Sequence, residues 1–372
     1  MTEEAMKLDP VDQAVEAIRA GEMVVVVDDE DRENEGDLIM AAARATPEQI
    51  AFMVRHTSGI VCAPLTQEDA RRLNLAPMVS YNDAPMGTAF TVSVDYRPGL
   101  TTGISAEERC NTVRALANLN VGAEDFVRPG HIFPLIAKSG GVLMRSGHTE
   151  AAVDLARLAG LPPVGVIAEL VNDDGTVKRG PDVLKFAREH GMKIISVNDL
   201  IAYRQSRERL VERAADMTIE TPIGPARAIA YKTPFDSVQH LAVIYGDTSS
   251  GATVPTRLHR EDILDDIFGG RDVLAATFAR FKAEGRGILV YLREGAAGVP
   301  TTGLGKEAGA AGADGPTGSD TAREQAWRDV GLGAQILKDL GVHSIRLLAT
   351  SNRHYVGLTG FGIAIEETSI LD

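Results

Sequence analysis

The chain has 372 residues, 38 Lys+Arg against 52 Asp+Glu, and a formal net charge of −14; that length points to two domains, and the acidic balance excludes a general binder of nucleic acid or membrane surfaces. Its two cysteines, Cys62 and Cys110, cannot build a disulfide scaffold or a four-cysteine zinc site. No apolar run approaches the ~20 residues that span a bilayer, and MTEEAMKLDP lacks a signal-peptide core, so a cytoplasmic protein is expected.

Val11, Ala14, Val15 and Ile18 recur at helical spacing, which predicts a helix over Pro10–Ala20 ended by Gly21. Met23–Val27 is a short β-branched run, as expected of a buried strand. Further short strands are expected at Gly59–Ala63, Phe90–Val94, Val142–Met144, Val164–Ala168 and Lys193–Val197. Helices are expected at Glu150–Ala159, stopped by Gly160 and Pro162, and at Pro181–His190, closed by Gly191. The pattern is that of an α/β (α+β) domain over residues 1–205. Residues 203–215 are highly charged and helical in pattern, a solvated helix or linker. A second α/β domain, 206–372, then opens with a hairpin over Thr218–Tyr231, turning at Thr221–Gly224. It continues with helices at Asp272–Ala283 and Leu332–Leu340 and strands at Gly287–Leu292 and Ser344–Leu348. Residues 296–320 hold seven Gly and six Ala with no aromatic, a composition expected of a mobile loop. A phosphate cradle there would want a GK[ST] ending, which is absent.

Four segments carry candidate chemistry. DDEDRENEGD, residues 28–37, has seven acids in ten residues between two apolar runs. Pinned carboxylates repel unless a proton or cation relieves them, so the segment reads either as a solvated loop or as the seat of a hard divalent ion, Mg²⁺ or Mn²⁺. RSGHTE, residues 145–150, opens a helix with Thr149 as N-cap. Such a helix start suits a phosphate, with Arg145 as a bidentate partner and His148 as metal ligand or proton carrier; a capped helix with solvated side chains fits equally well. Glu169 ends an apolar run, as a base or simply where the strand meets water. His131, in RPGHIFPL, reads from its surroundings as structural.

Together these segments, with HTSGIVCAPL and TTGISAEER between them, resemble 3,4-dihydroxy-2-butanone 4-phosphate synthase over about residues 8–205. The resemblance implies a lyase that converts ribulose 5-phosphate into 3,4-dihydroxy-2-butanone 4-phosphate and formate. It also implies Mg²⁺ or Mn²⁺ as cofactor and a homodimer with sites at the subunit interface. Glu33 and His148 would hold the metal. Arg32, Glu33, Asp37, Arg145, Ser146, Gly147, His148, Thr149 and Glu169 would contact substrate, and His131 and Glu169 would be the catalytic pair. Glu35 and Cys62 match positions lining the family's site.

The second half resembles GTP cyclohydrolase II in patches, among them Arg257–Gly269, Ala283–Arg293 and Gly331–Leu348. That family holds a catalytic zinc with three cysteines. Here Asp262 stands at the first position, the other two fall in an apparent shortening around Gly270–Val273, and no cysteine follows Cys110. The stretch Glu294–Pro300 and SNRHY at 351–355 also depart from the family's pattern. The resemblance therefore implies a cyclohydrolase fold without that activity, the alternative being an enzyme that keeps both reactions.

Overall fold

The structure, a computed structural model, describes residues 7–28, 32–84, 86–234, 238–248, 253–262, 266–267, 273–293, 331–350 and 363–371. Their chain contacts divide it into two compact units, the first ending at Tyr203 and the second starting at Arg204. The loop expected at 296–320, and the departures at Glu294–Pro300 and 351–355, lie outside the described residues.

Among the described residues, the first unit is built on seven strands: β1 (Val24–Val27), β2 (Gly36–Ala41), β3 (Cys62–Leu65), β4 (Val94–Tyr96), β5 (Phe126–Ile136), β6 (Gly165–Glu169) and β7 (Lys193–Ser196). They form one mixed sheet in the order β4-β5-β3-β6-β2-β1-β7. Alternate residues of each strand enter opposite cores, as the two-residue period of a strand requires. Val25, Leu38, Met40, Val166 and Ala168 pack on one side with α2 (Pro47–His56), α4 (Ala106–Leu116) and α6 (Pro181–Glu189). Val24, Val26, Ile39, Ala41 and Ile167 pack on the other with α1 (Val11–Ala20), α5 (His148–Leu158) and α7 (Val197–Arg207). Each fully buried Val, Leu or Ile contributes about 1.5–3 kcal/mol, so a sheet covered on both faces stabilises its central strands from two sides.

Local chemistry sets the element ends. Gly21 closes α1 in the left-handed region at φ 85°. Thr46 and Gln49 form a reciprocal capping box ahead of α2, with Pro47 at its first position. Three sequence expectations change here. Val142–Met144 is no strand: Gly141–Leu143 form a 3-10 turn, in which the Val142 N–H donates to Asp154 at 2.8 Å. The helix after it starts at His148, and its N-cap is Gly147, not Thr149, which lies in the first turn. Phe90–Val94 gives only isolated bridges at Phe90 and Thr91 before β4.

The second unit holds β8 (Glu212–Thr221), β9 (Gly224–Lys232), β10 (Gln239–Tyr245), β11 (Val254–Arg260), β12 (Gly287–Leu292), β13 (Ser344–Ala349) and β14 (Ala364–Ile370). Their order is β14-β13-β11-β12-β10-β9-β8. The hairpin is present, with Thr221 paired to Gly224. The charged stretch 203–215 is not one helix: α7 ends at Arg207, and Glu212 already belongs to the edge strand β8, whose exposed face takes the charges. Among the described residues the unit also holds helices Val273–Glu284 and 331–339.

Candidate functional site

β2 runs antiparallel to both of its neighbours, so its first residues lie beside the last residues of β1 and β6. Val27 pairs with Gly36, and Asp37 pairs with Glu169. Asp37 and Glu169 share the parity of Ile39 and Ile167, which places them on the α5 side of the sheet. Cys62, paired with Ile167, joins them there. The N-terminus of α5 brings His148 to the same place, its Nδ1 3.6 Å from Asp37 Oδ1.

Asp28 organises the acidic segment. Its Oδ1 accepts the Glu35 N–H at 2.9 Å, and its Oδ2 accepts the Glu33 N–H at 3.1 Å and Arg32 Nη1 at 2.7 Å. Arg32 Nη1 also donates to Glu33 Oε2 at 2.5 Å. Asn34 takes the left-handed conformation that lets the loop turn between these bonds (φ 53°). One ligand atom from each of Asp28, Glu33 and His148 lies within 4.8 Å of the other two.

A cavity of about 140 Å³ opens over this group. Arg32, Glu33, Glu35, Asp37, Cys62, Arg145, His148, Thr149 and Glu169 line it, with Ile60, Thr88, Phe90, Leu135, Ile167 and Ala168. Ser146 and Gly147 join Arg145 to His148 without lining it. Buried Glu150 anchors the region: its Oε2 accepts Arg145 Nη1 at 2.7 Å, and its Oε1 accepts the Lys138 N–H at 2.9 Å. A Cβ at Gly147 would stand 2.5 Å from Arg145 Nη1, so only glycine lets the guanidinium reach Glu150 there.

The electrostatics are those of crowded acids. Burial, then the charges of Glu169 and Glu33, hold Asp37 well above the usual carboxylate range. Burial and the same two neighbours raise Glu35. Glu169 keeps a solvent-exposed edge, yet desolvation by the surrounding protein and the charge of Glu33 raise it too. Burial lowers His148, favouring the neutral ring that a metal ligand needs. The Cys62 thiol is pushed up to about 12 by burial, Asp37 and Glu169. His148 Nε2 and Asp37 Oδ1 are buried without hydrogen-bond partners, an arrangement with a cost unless something else meets them.

His131 is absent from this lining. It lies on β5, where Asp95 accepts its backbone N–H at 2.8 Å and its Nδ1 stands 2.7 Å from Asp95 Oδ2. Of the predicted site residues, all but Ser146, Gly147 and His131 therefore line the cavity of one chain. Asp28, Asp95 and Glu150 escaped the sequence reading; for Asp28 the signal was its place directly after β1. In the second unit, Asp262 donates its backbone N–H to Asp266 at 3.2 Å, and Asp266 also contacts His259 Nε2 at 2.7 Å and Tyr291 Oη at 2.5 Å.

Comparison with known proteins follows this division. Residues 12–203 match the family model for 3,4-dihydroxy-2-butanone 4-phosphate synthase, and residues 212–369 match that for GTP cyclohydrolase II. The chain is 47% identical to the bifunctional riboflavin biosynthesis protein RIBA 1 of Arabidopsis thaliana over 95% of its own length and 67% of the relative's. It is 48% identical to that plant's monofunctional RIBA 2 over 95% and 75%, and 46% identical to RibBA of Nocardia farcinica over 97% and 90%. Among solved structures, RibBX, a two-domain 3,4-dihydroxy-2-butanone 4-phosphate synthase from A. baumannii, aligns with a TM-score of 0.81 at 38% identity, covering 97% of this chain and 99% of that one. A 3,4-dihydroxy-2-butanone 4-phosphate synthase solved with two magnesium ions aligns at 0.53 and 47% identity, over 54% of this chain and 98% of that one. The chain thus belongs to the riboflavin-biosynthesis family in which a 3,4-dihydroxy-2-butanone 4-phosphate synthase domain precedes a GTP cyclohydrolase II domain.

Proposed function

We propose that the first unit converts D-ribulose 5-phosphate into 3,4-dihydroxy-2-butanone 4-phosphate and formate with Mg²⁺ or Mn²⁺. The observation that carries this is the convergence of Asp28, Glu33 and His148, the last two lining a cavity that also presents Arg145 and Thr149. Carboxylate oxygens with one imidazole suit a hard divalent ion, and the partnerless His148 Nε2 fits such a ligand. Glu33 and His148 would hold it, with Asp28 bracing the loop. When bound, the ion supplies Lewis-acid polarisation of the substrate's carbonyl oxygen.

The rest falls to side chains. Arg145, held by Glu150, and the first turn of α5 bind the phosphate. Asp37, Glu35 and Glu169, with raised pKa values, hold and release the protons next to the carbonyl. His131 lies outside its own chain's cavity, which supports a homodimer in which a second copy supplies it. Both cysteines are free and buried, in keeping with a reducing, cytoplasmic compartment; among the described residues no helix is long and apolar enough to cross a membrane.

For the second unit we favour a cyclohydrolase fold without that reaction, because no cysteine follows Cys110. The second reading, an enzyme that keeps both reactions, is favoured by relatives named bifunctional. Formate release decides both. Ribulose 5-phosphate with Mg²⁺ should yield formate, abolished by Glu33→Ala and by His148→Ala. GTP with Zn²⁺ should yield none, and turnover of GTP would establish the second reading.

A further inference from the structure

We propose that Asp95 is a positioning residue that fixes the tautomer and aim of His131; the idea rests on the reading that His131 acts on the substrate. The β4–β5 ladder passes from Val94–Ile132 directly to Asp95–Val127, so residues 128–131 leave the pairing. Bulges of this kind re-aim side chains near active sites. The excursion is pinned to β4: Gly130 donates its N–H to Ser93 Oγ at 3.1 Å, and a Cβ on Gly130 would stand 2.1 Å from the Val94 carbonyl carbon. Asp95, buried on β4, closes it with both oxygens, Oδ1 on the His131 N–H and Oδ2 on the ring Nδ1.

A carboxylate only accepts, so Nδ1 must carry the proton in this pair. In the neutral ring Nε2 then holds the lone pair, while two fifths of the side chain remains exposed. Gly103 covers the pair from the other side. It has φ 81°, and a Cβ on it would lie 2.2 Å from Asp95 Oδ2 and 2.7 Å from His131 Nδ1. Only the loop's bare backbone fits against the buried carboxylate, which holds the ring in one orientation.

The geometry makes Asp95→Asn a specific test. The backbone N–H of His131 needs an acceptor, which forces the amide oxygen to the Oδ1 position. The NH₂ group then faces Nδ1 and donates to it, moving the ring proton to Nε2. Shape is preserved while the tautomer inverts. We expect kcat for formate release from ribulose 5-phosphate to fall on the order of 10²–10⁴-fold, by analogy with the same change behind a catalytic histidine elsewhere. KM should change less than about threefold, since binding groups are untouched. In the full-length protein, ¹H–¹⁵N correlation spectra of the imidazoles, assigned with His131→Gln, should show His131 as Nδ1–H in the wild type and Nε2–H in Asp95→Asn. An Nε2–H wild-type ring overturns the proposal even if the variant fails to fold, as does a variant that keeps more than about one third of wild-type kcat while His131→Gln is inactive. Near-wild-type activity in His131→Gln would instead overturn the role of His131, leaving the tautomer assignment to the spectra.

Discussion

Asp37 and Glu169 face each other as a direct pair across antiparallel strands β2 and β6. Like charges opposite one another destabilise a sheet, and both pKa values are raised. An acid whose folded pKa lies above its unfolded value favours the folded state only while protonated. Its contribution is complete below the unfolded pKa and is lost as pH rises through the folded one. Without divalent ions, the first unit should therefore lose stability as pH rises above the ordinary carboxylate range, and Mg²⁺ should restore it. Thermal melts with EDTA or Mg²⁺ at about pH 5 and about pH 8 check this. The Mg²⁺ gain should be larger at the higher pH; an equal gain at both would refute the linkage.

Glu150 predicts a separate phenotype. Its carboxylate holds Arg145 Nη1, leaving Nη2 near Met86 O at 3.3 Å and Thr88 Oγ1 at 3.4 Å. Glu150→Ala frees the guanidinium, so KM for ribulose 5-phosphate should rise about tenfold, since aiming a guanidinium is largely a binding effect. Steady-state kinetics separate this from a loss in kcat, and an unchanged KM would show that Arg145 needs no anchor.

Cys62 sits in the cavity lining, yet it should be chemically quiet. With its pKa near 12, almost no thiolate exists at neutral pH. Iodoacetamide should leave it unmodified in the folded protein and alkylate it in urea, read by mass spectrometry. Fast modification of the native thiol would show that its surroundings are less acidic or more open.

Gly36 offers a stability test beside the site. A Cβ there would lie 2.4 Å from Val183 Cγ1 on α6. Gly36→Ala should destabilise by about 1–3 kcal/mol through overpacking, read as a lowered urea midpoint. A stabilised variant would mean that α6 shifts freely.

Where the fold was legible, the pattern was unambiguous. Gly287–Leu292 is a strand with the expected limits because a short buried apolar run bounded by polar residues has few alternatives. Val142–Met144 misled because three apolar residues fit a strand or a turn, and Asp154, twelve positions away, decides for the turn. The charges of 203–215 masked an edge strand, since polar side chains are what an exposed edge carries. In the site, Glu33 and His148 stood out within long motifs. Asp95 did not, since its meaning comes from a ring 36 positions later, and local spacing holds no trace of that.

The brace made by Asp28 has a consequence for how strongly an ion is held. Both of its oxygens bond within the loop, so Glu33 is set in place when the chain folds, before any ion arrives. Ordering entropy that a floppy acidic loop would lose on capture has already been lost. Removing Asp28 should therefore leave the other acids and their charge intact while weakening ion affinity, because the hand would still have its fingers but would need to close them.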